Sequence, residues 1–200
     1  ATVVISIPLG VLAAVCQDKW VDLLLRFFSF IGNAMPNFFV AMLLMQLLSI
    51  KLNLLPVIAS GVNIRSALMP MLTLAIYPTS YLTRLTRASI LEVMNQDYLR
   101  TERAKGMSEF VVVFIHALKN SLIPVITYLG PLTASILTGG FVAESVFSVP
   151  GLGRYFVSSI SSRDYTMIMG VTIFYSALIV FMNLICDILY KIVDPRIQLD

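Results

Sequence analysis

The feature that most constrains the fold is a series of apolar runs, each close to the length that crosses a bilayer. The runs cover residues 1–16, about 27–50, 66–83, 121–147 and 167–190. A transmembrane helix needs about 20 predominantly apolar residues. Charged residues make up 12% of the chain, whereas a soluble domain carries about 25%. The sequence therefore predicts an all-α fold, a polytopic membrane helix bundle with five spans in these residues.

The length of the connections indicates how the chain is organised. The first run begins at Ala1 without an initiator Met or a signal-peptide cleavage site, so we expect a fragment that starts inside a helix. We expect residues 1–200 to form a single transmembrane domain with a cytoplasmic loop at 84–120. A loop of this length is unusual between spans and indicates a docking element for a soluble partner.

The positions of Lys and Arg predict which side of the membrane each connection faces. With 17–26, 84–120 and 191–200 in the cytoplasm, ten of the 14 Lys and Arg residues lie on that side. Cytoplasmic loops carry an excess of these residues. We therefore predict a multi-pass protein of the cell membrane whose long loop and C-terminus are cytoplasmic. The bilayer accounts for the basic balance, and no nucleic acid partner is expected.

The segment 97–120 is polar and basic and has helical periodicity. Asp97 can cap a helix that runs to Lys105, Gly106 can end it in a left-handed conformation, and Ser108 can cap a second helix. The apolar residues of that second helix recur at helical spacing: Phe110, Val113, Phe114, Ala117 and Leu118. The pattern predicts a helix, a tight glycine turn and another helix. An amphipathic hairpin lying on the membrane surface is the alternative.

The fourth apolar run combines helix breakers with hydroxyl side chains. Bent helices can surround a pathway whose shape changes, although Pro and Gly are also common where membrane helices simply pack. The side chains predicted to line such a pathway are Thr127, Thr133, Ser135, Thr138 and Glu144. Glu144 lies near the predicted outer end of this run. A carboxylate costs a few kcal/mol at mid-bilayer and much less at the interface, so its depth decides between a role in the pathway and a purely interfacial position.

Six short sequence motifs, spread over nearly the whole chain, are informative in combination. They are IPLGVLAA at 7–14, LTRLTRASILEVM at 82–94, QDYLRTERAKG at 96–106, HALKNSLIPVITYLG at 116–130, ESVFSVPGLGR at 144–154 and DPRI at 194–197. In combination they resemble permease subunits of ATP-binding-cassette importers, with the dipeptide, oligopeptide and nickel permeases as the nearest branch. The resemblance implies a six-helix subunit, of which this fragment would lack the first span and an outer region.

The resemblance also implies a site where the loop docks in a cleft of a cytoplasmic ATPase. The docking residues would be Arg100, Thr101, Glu102, Arg103, Ala104, Lys105 and Gly106. Small Ala104 and Gly106 would permit close approach. Glu102 stands where many relatives have Ala, and we expect it to face solvent or to pair with Lys105.

The partners that the resemblance implies supply what this chain lacks. The sequence contains no G-x-x-x-x-G-K-[ST] segment, so it is not expected to hold ATP or to be an enzyme. ATP and Mg would be bound by the ATP-binding subunits, and this chain would carry no cofactor. A second homologous permease subunit and an extracytoplasmic substrate-binding protein would complete the transporter.

The predicted function is ATP-driven import of peptides, with a nickel or metal-chelate importer of the same family as the alternative. Cys16, Cys186 and His116 lack the spacing of metal ligands, so no metal site is predicted. An ion-coupled secondary transporter would be expected to carry ionisable groups at mid-membrane. A membrane hydrolase would need a nucleophile and a base on adjacent spans. The sequence favours neither.

Overall fold

The structure, a computed structural model, describes residues 2–57, 63–137 and 140–193. Its helices are α1 (Thr2–Val15), α2 (Trp20–Ala34), α3 (Asn37–Leu44), α4 (Ile64–Met94), α5 (Asp97–Ala104), α6 (Glu109–Val111), α7 (Leu118–Ser121), α8 (Ile123–Leu137), α9 (Phe141–Val146), α10 (Leu152–Ser162) and α11 (Tyr165–Val193). π-Helical segments follow α3 at Met45–Lys51 and α6 at Val112–Ala117. The predicted all-α fold is confirmed for the described residues.

The helices confirm fewer membrane spans than the apolar runs predict. Among the described residues, Tyr165–Ile185 within α11 is long and apolar enough to cross a bilayer by itself. The number rises to three if two bent pairs each form one span: Trp20–Ala34 with Asn37–Lys51, and Glu109–Ser121 with Ile123–Thr133. α1 is apolar but shorter. A total of five spans stays a prediction.

The boundaries predicted for the second apolar run are wrong. This run was expected as one helix at about 27–50, but α2 ends at Ala34 and α3 begins at Asn37, on either side of Pro36. Proline removes an amide donor and restricts the residue before it, so helices commonly end there. The connection expected at 17–26 is also largely helical, because α2 begins at Trp20.

The later boundaries differ as well. α4 continues to Met94, so residues 84–94 of the expected loop belong to a helix that starts at Ile64. The fourth run is divided between α8 and α9. The residues between the fourth and fifth apolar runs contain the amphipathic helix α10. Thr138 and the motif at 194–197 lie outside the described residues.

The chain divides into two compact units. The first takes its described residues from Ala1–Asn33, Pro78–Leu129 and Cys186–Asp200, and the second from Ala34–Tyr77 and Gly130–Ile185. The long helices α4 and α11 contribute to both. The segment predicted to dock lies wholly within the first unit.

The core of the first unit forms where α1 crosses α4. A Cβ on Gly10 would fall 2.8 Å from the Thr83 carbonyl oxygen, so glycine lets the two backbones approach closely. Beside this contact, Val11 of α1 packs with Ile90 of α4 and Val113 of the second π-helical segment. The candidate loop is therefore built onto the end of α4.

The core of the second unit joins α3, α4 and α9. Ala41, Met69, Ala143 and Phe147 are buried together, and Phe147 is the largest of the fully buried side chains. Small residues on α3 and α9 face one another in this cluster, which permits the helices to pack closely. The same helix α9 carries Glu144.

Candidate functional site

The predicted helix, glycine turn and second helix are all present. α5 ends at Ala104, and Gly106 has φ +83°, the left-handed conformation that favours glycine. The Gly106 amide donates to the Arg103 carbonyl at 2.9 Å, and the Met107 amide donates to the Glu102 carbonyl at 3.4 Å. These hydrogen bonds form a Schellman motif, which satisfies carbonyls left free at a helix end. Gly106 therefore ends α5 as predicted.

The two N-caps differ from their predictions. Gln96 is the N-cap of α5, and Asp97 is its first helical residue. Ser108 is the N-cap of α6, but its side chain makes no capping hydrogen bond. The capping role predicted for Asp97 is wrong, and only the position of Ser108 is confirmed. Asp97 still lies in the first turn, where a carboxylate interacts favourably with the helix dipole.

Arg103 holds the turn together. Its Nε donates to Oε1 of Glu109 at 2.8 Å, and its Nη2 donates to Oε2 at 3.4 Å. The guanidinium therefore binds the carboxylate of α6 through two nitrogens. Its Nη1 also donates to the Met94 carbonyl at 3.4 Å. Paired contacts of this kind fix geometry as well as charge. Arg103 thus joins the end of α4, α5 and α6.

Glu102 makes a contact that the sequence did not predict. Its Oε1 lies 3.1 Å from Nδ1 of His116, and its side chain is 18% exposed. The expectation that Glu102 faces solvent or pairs with Lys105 is wrong, because α5 packs back on the second π-helical segment and brings His116 within reach. His116 thereby contacts α5 from the second π-helical segment. This pair is a second contact that joins α5 to the helix after the turn.

Apolar packing fixes the other side of α5. Leu99 is fully buried among Val93, Val112 and Ala117. Burying a leucine side chain contributes about 1.5–3 kcal/mol. Close by, Nδ2 of Asn120 donates to the Tyr98 hydroxyl at 2.8 Å. The loop is therefore a packed helical hairpin.

The outer side of α5 and the turn are open. Five of the seven residues predicted to dock are exposed: Arg100, Thr101, Ala104, Lys105 and Gly106. The other two, Glu102 and Arg103, are partly buried in their contacts with His116 and Glu109. The structure thus separates the predicted set into an exposed surface and two residues that brace it from behind. We call the five exposed residues the docking face. Docking itself stays a prediction.

The second helix contains a π-helical segment that the sequence pattern missed. Val113 and Ala117 are buried as expected, but Phe110 and Phe114 are exposed and stack on each other, with ring centroids 4.6 Å apart. A π-helix makes i→i+5 hydrogen bonds, so its side chains do not follow the α-helical period. Val112, which the α-helical period did not select, is fully buried.

An ion pair between α2 and α4 was also not predicted from the sequence. Asp22 of α2 is fully buried and lies 2.6 Å through Oδ1 from Nε of Arg87 and 2.7 Å through Oδ2 from Nη2. Arg26 approaches the same carboxylate at 3.5 Å. Asp22 and Arg87 are separated by 65 residues, so no local spacing reveals the pair. The contact fixes α2 to α4.

Those residues predicted to line a pathway that the structure describes lie on α8 and α9. Thr127 is exposed and its hydroxyl donates to the Ile123 carbonyl at 3.0 Å. Ser135 donates to the Leu132 carbonyl at 2.8 Å, and Thr133 is half-buried. Thr127 lies in the first unit, whereas the other two lie in the second. Their role in a pathway stays a prediction.

Glu144 has a structural use in the second unit. It is 9% exposed, and its Oε2 accepts the Arg154 amide at 2.8 Å in the first turn of α10. A Cβ on Gly151 would overlap the Glu144 carboxylate, and one on Gly153 would lie 3.1 Å from Oε2. Both glycines of the PGLG sequence therefore leave room for a carboxylate that caps α10.

We expect Glu144→Ala to loosen α10, because an amide donor at the helix start would lose its acceptor. The expected cost is about 1–3 kcal/mol. Hydrogen–deuterium exchange of the α10 amides in the full-length chain measures the change, and Glu144→Gln, which keeps an acceptor oxygen, should exchange more slowly than Glu144→Ala. Equal exchange in wild type and Glu144→Ala would contradict the capping role.

Comparison with known proteins places this helical chain in a class. Residues 6–199 match the model of the binding-protein-dependent transport system inner membrane component family. The match covers nearly the whole chain, and the chain belongs to this family. The resemblance to permease subunits of ATP-binding-cassette importers is therefore confirmed.

Individual relatives are similar over the same length. The chain is 45% identical over 197 residues to the dipeptide transport system permease protein DppB of Bacillus subtilis, covering 98% of this chain and 64% of that protein. It is 44% identical to the oligopeptide transport system permease protein AppB of Bacillus subtilis, over 97% of this chain and 64% of the relative. For the oligopeptide transport system permease protein OppB of Haemophilus influenzae the identity is 40%, with 98% and 64% covered. The chain thus spans less than two thirds of the length of these relatives.

Proposed function

We propose that this chain is a permease subunit that moves peptides inward across the cytoplasmic membrane, powered by a separate ATPase. The observation that carries the proposal is the docking face of Arg100, Thr101, Ala104, Lys105 and Gly106, which is exposed on a braced helical hairpin. An exposed polar surface on a rigid support suits contact with a soluble protein better than contact with lipid. The names of the relatives favour peptides as substrate.

The mechanism follows from how the hairpin is attached. Arg103 ties α5 both to the Met94 carbonyl at the end of α4 and to Glu109 of α6. When ATP closes the ATPase subunits around α5, the displacement would pass to α4 and, through α7, to α8. Rigid elements of this kind transmit movement because packed interfaces change between discrete arrangements. We infer that the membrane helices then alternate between inward-open and outward-open states.

The proposed orientation places the loop and the C-terminus in the cytoplasm. The excess of Lys and Arg at 17–26, 84–120 and 191–200 supports it. A second homologous permease subunit would complete the pathway, and an extracytoplasmic binding protein would deliver the substrate. ATP and Mg would be held by the ATPase subunits.

Uptake by the assembled transporter tests the proposal. The full-length chain is reconstituted in vesicles with its partner permease, ATPase subunits and binding protein, and labelled dipeptide or nickel is supplied outside. We expect dipeptide uptake that needs internal ATP and ceases without the ATPase. Uptake driven by an ion gradient alone would overturn the proposal, and uptake of nickel without dipeptide would favour the metal-importing alternative.

A further inference from the structure

A groove between α2 and α4 in the first unit combines an apolar lining with a cationic end. Its volume is about 900 Å³, within the range of about 300–1,000 Å³ typical of ligand pockets. Leu23, Phe27 and Phe30 line it from α2 at the spacing of one helix face. Tyr81 and Leu85 line it from α4. These side chains offer no charged group to a ligand.

Three arginines line the same groove, and two of them contact a single carboxylate, that of Asp22. Arg87 and Arg26 share Asp22, and Arg84 is exposed and makes no ion pair within residues 2–57, 63–137 and 140–193. Asp18, in the turn before α2, does not line the groove. Arg84 is thus a cation available to an anionic ligand. Arginine presents a planar group that binds phosphate oxygens well.

The charged and apolar parts are separated along the groove. Phe30 lies four residues after Arg26 on α2, about 6 Å at the rise of an α-helix. Tyr81 lies three residues before Arg84 and six before Arg87 on α4, about 4.5 Å and 9 Å by the same measure. A ligand that fills the groove would meet arginines at one end and aromatic rings toward the other. A small free anion would leave the apolar part without contacts.

We propose that the groove binds one anionic phospholipid, with its phosphate at Arg84 and an acyl chain along Phe27 and Phe30. The inference rests on the proposed function for the placement of 17–26 and 84–120 at the cytoplasmic face. Basic pockets between membrane helices on that side are suited to anionic headgroups. The bound lipid would hold α2 against α4 beside the Asp22 ion pair.

Retention of lipid by the assembled transporter tests this site. The complex containing the full-length chain is reconstituted in bilayers of phosphatidylethanolamine with added phosphatidylglycerol, extracted mildly and analysed by native mass spectrometry. We expect phosphatidylglycerol to be retained in preference to phosphatidylethanolamine. Arg84→Gln should lower that retention about fivefold, since one cation near a membrane surface contributes about 1 kcal/mol. The variant should still fold, because Arg84 is exposed.

Matched controls separate the lipid from other occupants. Arg65→Gln removes an exposed arginine from the second unit and should leave lipid retention unchanged. A photo-crosslinking phenylalanine analogue at Phe27 should label lipid. Labelling of a protein segment, displacement of the lipid by inorganic phosphate, or equal losses in both arginine variants would overturn the proposal. ATP-driven uptake in the same samples is scored separately, so the proposed function can stand while the lipid site fails.

Discussion

Replacing Ala104 with Arg is expected to abolish uptake by the assembled transporter while the chain still inserts in the membrane. Ala104 is exposed at the end of α5, so a longer side chain there disturbs no packing within the fold. At the proposed interface the same side chain would hold the ATPase away. Loss of a central contact costs about 2 kcal/mol or more, so uptake should fall about thirtyfold or further. ATP-driven uptake and co-purification of the ATPase measure the effect.

Ala104→Ser is the matched control, because it changes the same position and keeps the residue small. It should retain both uptake and the ATPase. Gly106→Arg is a weaker test, since its φ of +83° makes any side chain strain the turn. Normal uptake by Ala104→Arg would argue strongly against docking through this face.

Replacing Asp22 with Ala is expected to destabilise the full-length chain by about 3 kcal/mol, the lower end of the range for breaking a buried ion pair. The lower end applies because Arg87 keeps 17% of its side chain exposed and Asp22 keeps none. Arg87 would be left without its partner between α2 and α4. Unfolding of the purified chain in mixed micelles measures the loss.

Two further variants identify the cause. Asp22→Leu combined with Arg87→Leu should cost less than Asp22→Ala, because no charge is then left unpaired. Arg26→Gln removes the more distant and half-exposed partner of the same carboxylate, and it should cost less than about 1 kcal/mol. The single variants Asp22→Leu and Arg87→Leu are measured alongside. If the double variant loses as much stability as the two single variants added together, the pair is not coupled.

Local sequence signals predicted the loop well where the structure depends on local geometry. The turn at Gly106 was predictable because a left-handed residue at a helix end favours glycine. The contacts of Glu102 with His116 and of Asp22 with Arg87 were not, because each depends on how two separate helices pack. The same holds for Glu144, whose acceptor role requires the approach of α10.

The apolar runs correctly predicted an all-α fold, but they placed several helix ends at the wrong residues. It merged α2 with α3 across Pro36, and it ended α4 at residue 83, although the helix continues to Met94. Polar residues in the last turns of α4 lie against other helices or solvent, so hydropathy alone does not mark where a helix stops. The π-helical segment at Val112–Ala117 was also missed, because its period departs from that of an α-helix.

The two-turn helix α5 keeps its buried anchor and the residues proposed to dock on opposite sides. Leu99 is buried against the rest of the hairpin, whereas Arg100, Thr101 and Lys105 are exposed. Arg100 and Thr101 contact Asp97 of the same helix. Evolution can therefore exchange the outward residues between transporters at little cost in stability. Under the proposed docking, related permeases would differ in the ATPase that they bind through these exposed positions alone, while the buried contacts of α5 stay the same.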